Sequence, residues 1–115
     1  AHTAELFLTG RHITGEEAAV IGLASRALPA AEVLDAARDV ARDIAVHCAP
    51  LSVALSKRLL WESRAMTRQE VGERETAYHH LVMGRPDALE GVMAFLVRRP
   101  ARWALAVPRD WPQKD

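Results

Sequence analysis

The chain has 115 residues and a mass of 12.7 kDa, with Lys+Arg and Asp+Glu equal at 15 each and a formal net charge of zero. Its length bounds it to one domain at most. The charge balance excludes a general nucleic-acid binder, which carries a basic excess, and a polybasic membrane-surface module. Hydrophobic residues are 50% and charged ones 26%, a globular mixture and not a disordered one. No apolar run approaches the roughly 18 residues of a membrane span, and no secretory leader is expected. Cys48 is the single cysteine, which rules out an internal disulfide and a multi-cysteine metal site. A cytoplasmic setting is the expectation from that.

The pattern is helical nearly throughout. Leu6-Phe7-Leu8 forms a short first element that Thr9-Gly10 stops, Gly being free to take a positive φ. Thr14-Gly15-Glu16-Glu17 has the spacing of a capping box and starts a short helix that Gly22 ends. Leu23 to Leu28, bounded by Pro29, reads as a short strand. A lone strand leaves backbone donors and acceptors open, so its partners are expected elsewhere.

From Ala31 to Cys48, Val33, Leu34, Ala37, Val40, Ala41, Ile44 and Ala45 recur at steps of three and four, one face of a helix. Pro50 suits the first turn of the next helix, which carries Leu51, Ala54, Leu55 and Leu59 and ends near Ala65. Thr67-Arg68-Gln69-Glu70 is a second capping box, and its helix ends near Gly84. Pro86 opens a last helix with Asp87 placed for the helix dipole, Leu89, Val92, Met93 and Leu96 as its core stripe, and Pro100 as its close. The tail from Ala101 to Asp115, with Trp103 and Trp111 among prolines, is expected to be irregular and to lie on another surface.

Several groupings fail as chemical sites. Glu75 and His79 share a helix face, but His80 points elsewhere and no third metal ligand stands at helical spacing. His47 and Cys48 are adjacent, about 100° apart around a helix, and so cannot form a nucleophile–base pair. Cys48 falls on the apolar stripe and reads as a small hydrophobe. A helix-turn-helix reading of the region around Thr67 would present Glu70, Glu73 and Glu75 to phosphates. Neither a glycine-rich phosphate loop nor a nucleophile elbow is present. No catalytic residue is assigned.

The last helix differs. Gly91, Phe95 and Arg98 stand at i, i+4 and i+7: a small groove, a stacking surface and a cation, which are what an adenine nucleotide needs. The bland alternative packs Phe95 in the core or an interface and leaves Arg98 solvated.

Several stretches together resemble the enoyl-CoA hydratase/isomerase (crotonase) superfamily. Ala4-Glu5-Leu6-Phe7-Leu8-Thr9-Gly10-Arg11-His12-Ile13 is similar to that family's A-x-E-L-x-L-T-G-R-x-I. Glu17-Ala18 and Gly22-Leu23-Ala24-Ser25-Arg26-Ala27-Leu28-Pro29 continue the likeness, as do Ala49-Pro50 followed by Lys57. Glu90-Gly91-Val92-Met93-Ala94-Phe95-Leu96-Val97-Arg98-Arg99-Pro100 resembles the closing E-G-x-x-A-F-x-E-K-R-x-P, with Trp103 at an aromatic position. Arg98 stands where the family more often has Lys, and Val97 replaces a frequent Glu.

The resemblance covers only the C-terminal part of the family. It implies a mainly α fold, the helical trimerisation part of a crotonase-like α/β spiral, with one short strand near residues 23–28. Residues 1–29 would end the spiral core, 30–100 form the helical region, and 101–115 the tail. The family's oxyanion-holding amides and catalytic carboxylates would precede Ala1, so this chain alone is expected to lack hydratase activity. The implied reaction of a full-length enzyme is addition of water to a 2-enoyl-CoA, with the coenzyme A thioester as substrate and no further cofactor. Phe95 and Arg98 would contact coenzyme A. The implied partners are copies of the chain, as a trimer or dimer of trimers, with no nucleic acid and no membrane. The alternative is a truncated, catalytically inactive helical assembly or scaffold protein, which coenzyme A binding would discriminate. An exposed apolar patch and self-association are expected in either case.

Overall fold

The structure is a computed structural model that describes residues 2–112. Two compact units lie within Ala1–Asp39 and Val40–Asp115. The described secondary structure is entirely helical: α1 (His2–Thr9), α2 (Gly15–Val20), α3 (Val33–His47), α4 (Pro50–Glu62) with a 3-10 turn at Ser63–Ala65, α5 (Arg68–Met83), α6 (Pro86–Leu96) and α7 (Val107–Asp110).

In the first unit, Gly10 (φ 61) and Gly22 (φ 77) take the left-handed conformation just past α1 and α2. At the end of α2 the Gly22 amide donates to the Ala19 carbonyl at 3.2 Å and the Leu23 amide to Ala18 at 2.8 Å. This is a Schellman closure with glycine where no Cβ penalty arises. Thr14 caps α2, its hydroxyl accepting from the Glu17 amide at 3.1 Å. The Glu17 carboxylate turns to Arg11, whose Nη2 donates to it at 2.6 Å while Nε donates to Glu5 at 2.9 Å. Residues 23–28 do not form a strand: bends occupy 23–25, no regular structure follows at 26–28, and the described residues contain no strand at all. The expectation fails because a strand needs a neighbouring ladder, and the described residues supply no second strand.

In the second unit α4 packs against α5 and α7, and α5 against α6. Leu51 and Leu55, i and i+4 on α4, are the largest fully buried side chains, and Ala94 of α6 is buried with them. Pro50 sits at the start of α4 and Pro86 at the start of α6, where a missing amide costs nothing. Thr67 and Glu70 form both halves of a capping box: the Thr67 hydroxyl accepts from the Glu70 amide, and the Glu70 carboxylate accepts from the Thr67 amide at 2.6 Å. That amide, with the Thr67 hydroxyl, holds the Glu70 carboxyl below its ordinary range. Glu62 ties α4 to α5, accepting from Arg58 Nε at 2.6 Å and from Arg74 Nη1 at 3.1 Å.

Two expectations about burial are corrected. The α6 stripe Leu89, Val92, Met93 and Leu96 is exposed, Leu96 by 66%. The α3 stripe Val33, Leu34, Val40 and Ile44 is likewise exposed. Both stripes are amphipathic as read, yet they stay exposed among the described residues. An apolar face of this kind is buried by a partner or left as a patch.

Candidate functional site

The site is the C-terminal end of α6 and the segment that follows. α6 ends at Leu96, four residues before Pro100. The residue before a proline is pushed out of helical space, so Arg99 cannot continue the helix. The chain closes α6 with the same Schellman geometry as α2: the Arg98 amide donates to the Phe95 carbonyl at 3.2 Å and the Arg99 amide to Ala94 at 3.0 Å. Arg98 therefore occupies the left-handed position, φ 52, and it is the only non-glycine residue described there. A side chain there costs about 1–2 kcal/mol.

Phe95 and Arg98 are thus neighbours at a helix end and not successive steps of one continuous stripe. Phe95 is 83% exposed, and Arg98 is exposed beyond the last turn. The bland alternative of a core Phe95 does not hold within this chain. Gly91, read as a groove beside them, is filled: a Cβ added to it would stand 3.5 Å from the edge of the Trp103 ring. Trp103 in turn donates its indole N–H to the Val46 carbonyl at 3.1 Å.

Two carboxylates on α6 organise the tail; sequence reasoning missed the role of Glu90 and gave Asp87 only its place in the first turn, which it does occupy. Glu90 accepts from Arg99 Nη1 at 2.6 Å and Nη2 at 2.8 Å, and from the Arg102 amide at 2.6 Å. The Arg99 guanidinium first, then the Arg102 amide, push its carboxyl down to about 2. The pairing spans nine residues across a turn, so helical periodicity gives no sign of it. Asp87 is 5% exposed and accepts from the Ala104 amide at 2.7 Å and the Leu105 amide at 3.3 Å. Its main partners are these tail amides, beyond the helix dipole that the sequence indicated. The tail is accordingly less irregular than expected. It lies on this chain's own helices, it includes α7, and Trp111 stands under the Arg58 guanidinium at 5.6 Å.

Elsewhere, an open groove of about 500 Å³ runs along α4 and α5 and is lined by Leu55, Leu59, Val71 and Tyr78, with Glu75 and His79. Phe95 and Arg98 do not line it. Among the described residues no cluster of three or more His, Cys, Asp or Glu could hold a metal ion. His47 Nδ1 lies 2.9 Å from the Asp43 carboxylate, so that ring is engaged one turn back, away from the half-buried Cys48. No described helix is long and apolar enough to cross a membrane.

This helical segment has the architecture of the C-terminal helical part of a crotonase fold. The enoyl-CoA hydratase/isomerase family model matches residues 1–105, and the chain belongs to that family. It is 50% identical to a probable enoyl-CoA hydratase/isomerase from Mycobacterium abscessus, with a TM-score of 0.83 over 90% of this chain and 40% of that one. An enoyl-CoA hydratase from Mycobacterium tuberculosis gives 34% identity and a TM-score of 0.77, over 88% of this chain and 40% of that one. Among curated proteins, a carnitinyl-CoA dehydratase of Salmonella arizonae is 35% identical over 103 residues, 86% of this chain and 39% of that protein. A probable mitochondrial enoyl-CoA hydratase of Dictyostelium discoideum is 36% identical over 99 residues, 86% of this chain and 35% of that protein. The chain thus spans about two fifths of the length of the relatives it matches.

Proposed function

We propose that the chain is the C-terminal helical part of an enzyme of acyl-CoA thioesters, hydration of a 2-enoyl-CoA being the reaction of the whole protein, in the cytoplasm. In this reading the chain itself contributes two things: subunit contacts, as a trimer or dimer of trimers, and a contact to the coenzyme A nucleotide. No cofactor beyond the coenzyme A thioester substrate is needed.

The observation that carries the nucleotide contact is the pairing of an exposed Phe95 ring with an exposed Arg98 one turn on, at the end of α6. A ring face takes an adenine by stacking, and a guanidinium takes a phosphate by a bidentate fork where lysine offers a point charge. The observation that supports assembly is the uncovered α3 and α6 stripes. The family match over residues 1–105 supports the substrate class.

The test is calorimetric titration of the chain with coenzyme A, alongside Phe95→Ala and Arg98→Ala. Binding weakened by each substitution supports the reading, and equal binding by all three proteins contradicts it. The scaffold alternative predicts no coenzyme A binding at all. Turnover of crotonyl-CoA by the 115-residue chain, above buffer, would contradict the placing of catalysis outside it.

A further inference from the structure

We propose that Glu90 is the positioning residue of this contact, a clamp that holds Arg98 in its left-handed conformation and so aims its guanidinium. The inference rests on the reading of Phe95 and Arg98 as coenzyme A contacts.

A strained residue persists only where its surroundings over-determine it. The Arg98 amide is fixed by the Phe95 carbonyl, and on the carbonyl side of Arg98 the Arg99 amide is fixed by the Ala94 carbonyl. Past the Arg99 amide the chain has no helix to hold it. Glu90 supplies that hold. Both of its oxygens grip the Arg99 guanidinium, one of them also takes the Arg102 amide, and Arg99 Nη1 reaches the Pro100 carbonyl at 3.0 Å. Relaxing Arg98 to a negative φ would swing Arg99 away from α6 and break three charge-assisted hydrogen bonds at once. The same clamp sorts the two adjacent arginines. Arg99 has its charge matched by Glu90, and Arg98 is left exposed with a guanidinium that pairs with no described side chain. One arginine builds the turn and the other is available to an anion.

The test uses the full 115-residue chain and two readouts. In nuclear magnetic resonance, the amide–Hα coupling and the Cα shift of Arg98 report the sign of its φ. Glu90→Ala is expected to abolish the left-handed signature while the amides of α4 keep their shifts. Glu90→Gln, which keeps an acceptor for Arg102 but gives up the ion pair, is expected to fall between, and it stands in if Glu90→Ala does not fold. A left-handed signature that survives in both variants overturns the clamp, whether or not coenzyme A binds. In coenzyme A titration, Glu90→Ala is expected to weaken binding about fivefold or more, and the Glu90→Ala/Arg98→Ala double variant to bind no worse than Arg98→Ala alone. Strictly additive losses, or unchanged affinity in a Glu90→Ala protein of lowered melting temperature, would show a merely structural Glu90 and overturn the positioning role. If the unsubstituted chain binds no coenzyme A, the functional reading fails, and the resonance measurement alone decides the clamp.

Discussion

The carboxylate of Glu90 holds the guanidinium of Arg99 with both oxygens, at 2.6 and 2.8 Å, across nine residues and a reversal of the chain. Such a fork matches the planar donor pair of arginine, and lysine could not reproduce it. It converts the end of α6 from a fraying terminus into a fixed corner, and the exposed Phe95 and Arg98 stand on that corner.

The fork predicts a pH dependence. Glu90 titrates at about 2 in the folded chain against an ordinary value of 4.5. Its folded value is depressed, so the unfolded chain takes up the proton first. The stabilisation is complete above pH 4.5 and is lost as pH falls toward about 2. The difference in urea midpoint between the chain and Glu90→Gln should therefore shrink steadily across that window. A difference that stays constant would contradict the ion pair.

Arg98→Gly removes a Cβ from a left-handed position and should stabilise the fold by about 1 kcal/mol. It also removes the cation, so coenzyme A binding should fall while the melting temperature rises. An unchanged or lowered melting temperature would contradict the strain at Arg98.

Asp87→Ala deprives two tail amides of their acceptor in a buried setting. The cost should be about 1–3 kcal/mol, with faster hydrogen exchange at Ala104 and Leu105. Exchange that stays slow at both amides would mean the tail is held by other contacts, such as Trp103 to Val46.

Leucines on α4 and α6 should respond in opposite ways. Leu55 is 2% exposed, so Leu55→Ala should cost about 2–5 kcal/mol of folding stability. Leu89 is exposed, and Leu89→Ala should change monomer stability by less than about 0.5 kcal/mol. If the exposed α6 stripe is the proposed subunit contact, sedimentation should nevertheless show weaker self-association for Leu89→Ala. Unaltered sedimentation would remove the α6 stripe from the subunit contact.

Local signals in the sequence carried most of the helices. Pro50, Thr67 and Pro86 each mark a helix start by a mechanism confined to one turn, and each start stands where it was read. The Gly22 stop is equally local. Failures came where the deciding partner is distant in sequence or not among the described residues. The apparent strand at 23–28 has the right side chains but no ladder to join. The stripes of α3 and α6 have the right period, yet periodicity gives only a direction and says nothing of what fills it. At the site, Phe95 and Arg98 were found by residue type, but the end of α6 was placed too late. The bias of Arg99 before Pro100 was the available clue. Glu90 gripping Arg99 and Asp87 capping the tail amides cross turns of nine residues and more, a range at which no spacing rule applies. For Glu90 and Arg99, the likeness to a family motif running from Glu90 to Pro100 was the sign that the two act together.

The most direct measurement separates the two halves of coenzyme A. The chain is titrated with adenosine 3′,5′-bisphosphate and, separately, with pantetheine. Stacking on Phe95 and pairing with Arg98 predict that the nucleotide binds and pantetheine does not. Phe95→Ala should weaken the nucleotide by about 1–3 kcal/mol, the worth of one stacked base. Binding of pantetheine alone, or nucleotide binding indifferent to both Phe95→Ala and Arg98→Ala, would contradict the assignment of the α6 corner to the coenzyme.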